Sequence, residues 1–200
     1  PAGFLLAYAA RCSRLPRWFR AAVSALTTLP MLLPTITYGF AIVYALGRQG
    51  LVTRLLGWQP FDIYGLGGLT LGYVVYVLPI AFLLIRNALG YVDRRYGAVA
   101  RLMGDSPWRA FRTTLLRPLA GPLAAAFVQS FFLAFTDFGV PASVGGAYKT
   151  VAGLLYERML GSLPDFGVGA AIAVCMLLPS VLGFLLLRRL ERAEVRYDRP

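Results

Sequence analysis

The chain is 200 residues long and 58% hydrophobic, above the ~45–50% apolar content usual for soluble domains, so it reads as a membrane protein. Its formal charge of +11 would suit a nucleic-acid partner, but the basic residues gather between apolar runs, which excludes that reading and favours loops on one side of a bilayer. Histidine, the commonest general base and metal ligand, is absent, so neither enzymatic chemistry nor a metal centre is expected on this chain.

In chain order, PAGFLLAYAA is an apolar run too short for the ~30 Å hydrocarbon core and reads as the tail of a truncated helix. No charged start or cleavage site precedes it, so it is not a complete signal peptide. A basic turn follows from Arg11 to Arg20, with Pro16 at its centre. The apolar stretch from Ala21 to Leu46 can cross, but Pro30 and Pro34 each remove a backbone donor, which predicts one kinked helix. These prolines either tilt a packed helix or mark a flexing point beside a pathway. Gly47 to Tyr64 reads as an outer loop with a short interfacial helix over Leu51 to Leu56. Gly65 to Val92 is the next span, glycine-rich at its outer end, with Tyr73 and Tyr76 as packing anchors or substrate contacts.

Asp93 to Pro118 is a basic segment broken at Gly104-Asp105-Ser106-Pro107. Ala98, Leu102 and Met103 lie at helical spacing before Gly104, a residue suited to a left-handed helix end. Ser106 is a helix cap and Pro107 a first helical residue, followed by the apolar stripe Trp108, Phe111 and Leu115. The reading is a helix, turn, helix hairpin at the bilayer surface; the plainer alternative is a basic amphipathic hairpin lying on anionic lipid.

Leu119 to Phe135 is a shorter crossing that ends in TDFGVPASVGG, Thr136 to Gly146. Asp137 there is a carboxylate near membrane depth, where an unshielded charge costs ~2.5–3.5 kcal/mol or more. Glycines and Pro141 prevent a continuous helix, and broken backbone at that depth needs protein or an aqueous path. Thr136, Asp137, Gly139 and Pro141 are therefore candidate gate or pathway residues, the alternative being a polar cap with Asp137 in the interface. Ala147 to Phe166 predicts an amphipathic outer helix, either simply interfacial or touching a binding protein. Gly167 to Leu187 is the last span, and Arg188 to Pro200 a charged, solvated helix end.

The topology follows from the charges. Sixteen of the twenty basic residues fall in Arg11 to Arg20, Arg86 to Arg117 and Arg188 to Arg199; the other four are Arg48, Arg54, Lys149 and Arg158. Placing the rich segments inside gives five crossings, the first partial, with a cytoplasmic C-terminus. Cys12 and Cys175 then lie too far apart in depth to pair, so two free thiols are expected.

The hairpin resembles the cytoplasmic coupling loop of permease subunits from type I ABC importers, whose signature is Glu-Ala-Ala, three residues, Gly, nine residues, Ile-x-Leu-Pro. Ala100, Gly104 and Leu116 match it, and Ser106-Pro107-Trp108-Arg109 matches its usual extension. Ala98, Val99, Thr114 and Arg117 depart from it, so the signature carboxylate is absent. Asp-Phe-Gly-Val-Pro followed by Gly-Gly resembles the corresponding segment of the ferric iron, 2-aminoethylphosphonate, thiamine and polyamine permeases.

The resemblance implies an all-α polytopic fold, a single permease domain over residues 1–200 with the coupling loop at 93–118. It implies an ATPase subunit docking on Ala98, Ala100, Leu102, Met103, Gly104, Asp105, Ser106, Pro107 and Trp108. A second permease half, an extracytoplasmic solute-binding protein and a bacterial-type inner membrane are the other expected partners, with no nucleic acid. No cofactor is expected on this chain: it has no Gly, four residues, Gly-Lys-Ser/Thr pattern, so ATP would bind the partner subunit. The competing reading is an ATPase-independent secondary transporter or a membrane scaffold. Ion-coupled carriers usually hold several ionisable groups within their spans, and Asp137 alone is offered here.

Overall fold

The structure is a computed structural model that describes residues 1–12, 15–59, 61–92, 99–100 and 102–195. Its regular elements are all helical. α1 spans Ala2–Cys12, α2 Arg17–Thr28, α3 Thr35–Leu46, α4 Leu51–Leu56 and α5 Leu66–Ala88. α6 spans Pro107–Phe111, α7 Ala120–Thr136, α8 Gly139–Val144, α9 Val151–Leu160 and α10 Phe166–Val195. A 3-10 turn at Leu29–Leu32 joins α2 towards α3, and a π turn at Arg112–Leu116 extends α6.

α5 is the axis of the bundle. Its 23 residues rise about 34 Å, enough to cross hydrocarbon unaided. Towards its C-terminal end, Phe82, Ile85 and Leu89 bury against Ala7 and Ala10 of α1 and against Leu119 and Ala126 at the start of α7. Towards its N-terminal end, Leu69 joins Tyr38 and Ile42 of α3, Ile63, and Val140 and Val144 of α8. The molecule therefore has two apolar cores stacked along one helix.

Residues Ala21 to Leu46 do not form the single kinked helix predicted for them. α2 with its 3-10 turn and the α3–α4 segment meet at 112°, a turn rather than a kink. Pro34 has no N–H to give to the Pro30 carbonyl, and the Tyr38 hydroxyl turns back to the carbonyls of Pro30 and Leu33, the latter at 2.8 Å. Two prolines four residues apart thus separate the helices, and one tyrosine satisfies the backbone they expose.

α7 is also incomplete as a crossing. Its 17 residues rise about 26 Å, and after the break at Asp137 and Phe138 the six residues of α8 add about 9 Å. Side chains that would block close approach are missing where α8 wedges between α3 and α5. A Cβ on Gly39 would overlap Ser143, one on Gly139 would overlap Thr35, and one on Gly72 would press on Val140. α8 hence runs parallel to α3 and antiparallel to α5.

α9 packs beside α10, with Gly169 against Met159, and Gly183 of α10 admits the Phe132 ring of α7. α10 is apolar for 24 residues, yet little of that window is buried in the chain. Leu177, Leu178, Val181, Leu182 and Phe184 stay exposed, as befits a helix covered by lipid or another subunit. Among the described residues two helices are long and apolar enough to span alone, and up to four spans result if each bent pair counts as one. Cys175 is a free thiol on α10.

Candidate functional site: a surface hairpin and a junction of broken helices

The hairpin follows the predicted local chemistry. Gly104 has φ +82°, which only glycine adopts cheaply, and the Asp105 N–H reaches the Ala100 carbonyl at 3.0 Å, the six-to-one bond of a glycine-terminated helix. Ser106 is extended and its hydroxyl oxygen accepts from the Arg109 N–H at 3.3 Å, with Pro107 opening α6. Asp105 carboxylate and Arg109 guanidinium lie 3.6 Å apart across the turn. Ala98 and Arg101 lie outside the described residues.

Around this rigid turn the apolar side chains face outward. Leu102 is 87% exposed, Met103 80% and Trp108 67%, while Ala100 and Ala110 are buried. Trp108 stacks on Phe111, centroids 5.8 Å apart, instead of packing on the spans. The attachment to the bundle is made further on, by Leu115 packed on the core at the C-terminal end of α5 and by Leu119, 1% exposed within it. Leu115 lies in the π turn, Pro118 follows it, and the chain bends by 65° into α7.

The second place is the junction of the two helix breaks, where the start of α8 abuts the start of α3. Asp137 is buried there, and its Oδ2 accepts from the Val140 N–H at 2.9 Å. It caps α8 from a buried position. Tyr38, Tyr73 and Tyr76 lie within electrostatic reach of its charge, and the Tyr38 and Tyr76 rings stand 6.1 Å apart. The Tyr73 hydroxyl is buried with no hydrogen-bond partner. Of the other predicted gate residues, Gly139 is buried against Thr35 and Pro141 lies inside α8. Thr136 is exposed, its hydroxyl donating to the Phe132 carbonyl at 2.8 Å. The three tyrosines come near Asp137 through tertiary packing; Tyr73 and Tyr76 were read from the sequence as packing anchors or substrate contacts, and Tyr38 was not singled out.

On the far side of α8, the Gly65 N–H donates to the Val144 carbonyl at 2.9 Å and Phe138 stacks on Tyr156 of α9 at 4.0 Å. Lys149 Nζ bonds both Glu157 carboxylate oxygens, at 2.9 and 2.6 Å, tying the loop after α8 to α9. Among the described residues no group of three His, Cys, Asp or Glu side chains could hold a metal ion.

Residues 1–196 match the family described as binding-protein-dependent transport system inner membrane component. The chain belongs to that family. It is 31% identical over 185 residues to the thiamine transport system permease protein ThiP of Escherichia coli K12, covering 87% of this chain and 33% of that one. It is 31% identical over 153 residues to the molybdenum transport system permease protein ModB of Azotobacter vinelandii, 70% of this chain and 65% of that one. The ferric transport system permease protein FbpB of Actinobacillus pleuropneumoniae is 25% identical over 162 residues, 78% of this chain. The chain spans about a quarter of FbpB and a third of ThiP, 24% and 33%. A bacterial ABC transporter that imports the acidic polysaccharide alginate superposes with a TM-score of 0.72 at 13% identity, over all of this chain and 73% of that one. The fold is thus the type I importer permease fold, and the protein is a multi-pass membrane protein.

Proposed function

We propose that the chain is a permease subunit of an ATP-binding-cassette importer: the junction of broken helices lies on the solute path and the hairpin receives the stroke of a separate ATPase. The observation that carries this reading is the exposure of Leu102, Met103 and Trp108 on a turn locked by Gly104, at the end of α7 and α5 where the arginines gather. Large apolar side chains on so stiff a turn suit a groove in a partner. ATP would bind that partner, and this chain would need no cofactor and perform no chemistry of its own. The hairpin and the C-terminus would lie in the cytoplasm, with a second permease half alongside and a binding protein delivering solute at the other face.

The lever has a mechanical reading. Displacement of α6 passes through the π turn to Leu115 and Leu119, and so to Phe82 and Leu89 of α5. Movement of α5 against α7 would be felt near Asp137, whose charge reaches Tyr73 and Tyr76. α3, α7 and α8 carry no charge, so Asp137 in the break between α7 and α8 stands alone there, and it favours a solute presenting a cation or hydrogen-bond donors over an oxyanion. A small solute of the ferric iron, phosphonate, thiamine or polyamine type remains the proposed cargo, with the cationic members favoured.

Replacing Trp108 by Ala in the assembled importer tests the reading. Loss of such an anchor costs about 2 kcal/mol or more, so affinity for the ATPase should fall roughly thirty-fold. Membrane insertion should be unchanged. Unaltered ATPase binding and uptake would contradict the proposal.

A further inference from the structure

α5 and α8 pass each other in a register that the glycines fix. A Cβ on Gly68 would stand 3.0 Å from Val144, and one on Gly72 would press on Val140. Each turn forward along α5 thus answers a turn back along α8, so the next turn brings Tyr76 level with the break at Asp137. Tyr73, three residues earlier, belongs to the adjoining stripe of α5. From α3, the buried Tyr38 sets its ring 6.1 Å from that of Tyr76, and the Pro30 and Leu33 carbonyls hold its hydroxyl so that the ring is fixed there. The charge of Asp137 reaches all three tyrosines.

Three phenol rings about one buried carboxylate suit one kind of charge. α3, α5, α7 and α8 carry a single charged residue, Arg86, about 15 Å along α5 from Tyr76, so Asp137 sets the sign of the field at the junction. An oxyanion is repelled by that carboxylate. A metal ion wants several anionic or oxygen ligands, and among the described residues no group of three His, Cys, Asp or Glu side chains meets that need. An organic ammonium group fits: the carboxylate offsets its charge, and its polarised C–H or N–H surface is attracted to the tyrosine ring faces. The Tyr73 hydroxyl, buried and without a hydrogen-bond partner among the described residues, is left for a polar atom of the same solute.

We propose that Tyr38, Tyr73 and Tyr76 with Asp137 form a binding site for an organic ammonium group, which makes the two tyrosines of α5 specificity-determining residues for the solute. The inference rests on the reading that this junction lies on the solute path, and not on where an ATPase docks. The test uses two thiol reagents as probes, trimethylammonioethyl and sulfonatoethyl methanethiosulfonate, on the complete transporter in proteoliposomes with Cys12 and Cys175 replaced by serine. Thr136→Cys is the reporter, an exposed position beside Asp137, and each rate is divided by that of the same reagent with a small thiol in solution. The trimethylammonium reagent should react about tenfold faster than the sulfonate, and Asp137→Asn should bring the ratio close to one. Tyr76→Leu should slow the trimethylammonium reagent about threefold and leave the sulfonate rate as it was, and Tyr76→Phe, which keeps the ring, should restore it. Tyr73→Cys is the second reporter if Thr136→Cys fails to assemble. Equal rates for the two reagents, or a trimethylammonium rate indifferent to Tyr76→Leu, would overturn the site. If neither reagent reached either thiol in a transporter that still bound its ATPase, the junction would be excluded from the path and the site with it, while the outcome for Trp108 would stand unaffected.

Discussion

Asp137 has one structural role and one proposed role on the solute path, which substitution can separate. As the acceptor for the Val140 N–H it holds the first turn of α8, so Asp137→Ala should cost about 1 kcal/mol of stability, read as a lower thermal midpoint of the purified protein. Asp137→Asn keeps an acceptor and should cost less, yet it removes the charge, so uptake should fall in both variants. Wild-type uptake by the Asn variant would remove the carboxylate from the solute path. Tyr38 is a purely structural counterpart. Tyr38→Phe takes the hydroxyl from the Pro30 and Leu33 carbonyls and should destabilise by about 1–3 kcal/mol in the same assay. Gly104 and Ser106 were legible in the sequence because their roles are local: positive φ and a missing N–H partner are settled within four residues. Tyr73 was noted only as a packing anchor or substrate contact, since what lies near it depends on how α5 and α8 pack.

At the scale of elements, the same division holds. The helix at Leu51 to Leu56 was predicted to the residue because Gly50 and Gly57 punctuate it, the latter at φ +72°. The break between α2 and α3 was read as a kink, because Pro30 and Pro34 show where hydrogen bonds are lost but not how far the chain then turns. α8 escaped notice as a helix, since six residues containing a proline have no periodicity to read and form only between Gly39, Gly68 and Gly72. A testable consequence concerns the loop before α9. The Lys149 hydrogen bond, followed by its charge, holds the Glu157 carboxyl below its ordinary value of 4.5. Because the folded value is the lower one, the tie is fully present above pH 4.5 and is lost as pH falls through that lowered value. A spin label on Tyr148→Cys, with the native cysteines replaced by serine, should gain mobility in that acid range. In Lys149→Met it should be mobile at every pH, and a persistent acid step there would refute the tie.

For the whole molecule, the alternation of basic and apolar segments announced a polytopic membrane protein, and the family and fold agree with it. What the alternation could not show is that one helix, α5, joins the core at its C-terminal end, which carries the hairpin, to the core at its N-terminal end, which carries α8. That connection makes the two candidate regions parts of one device. Changing Gly104 to Val tests it: the left-handed position then costs about 1–2 kcal/mol, and the turn should lose its shape while both cores stay intact. Insertion should persist and ATP hydrolysis should proceed without uptake. Coupled uptake by that variant would contradict a rigid lever.

The most direct measurement is cross-linking from Met103→Cys in the assembled transporter, with Cys12 and Cys175 replaced by serine. Residue 103 is 80% exposed at the tip of the hairpin, so the account predicts an adduct with the ATP-hydrolysing subunit. An adduct with the extracytoplasmic binding protein, or none in a complex that still takes up solute, would contradict it.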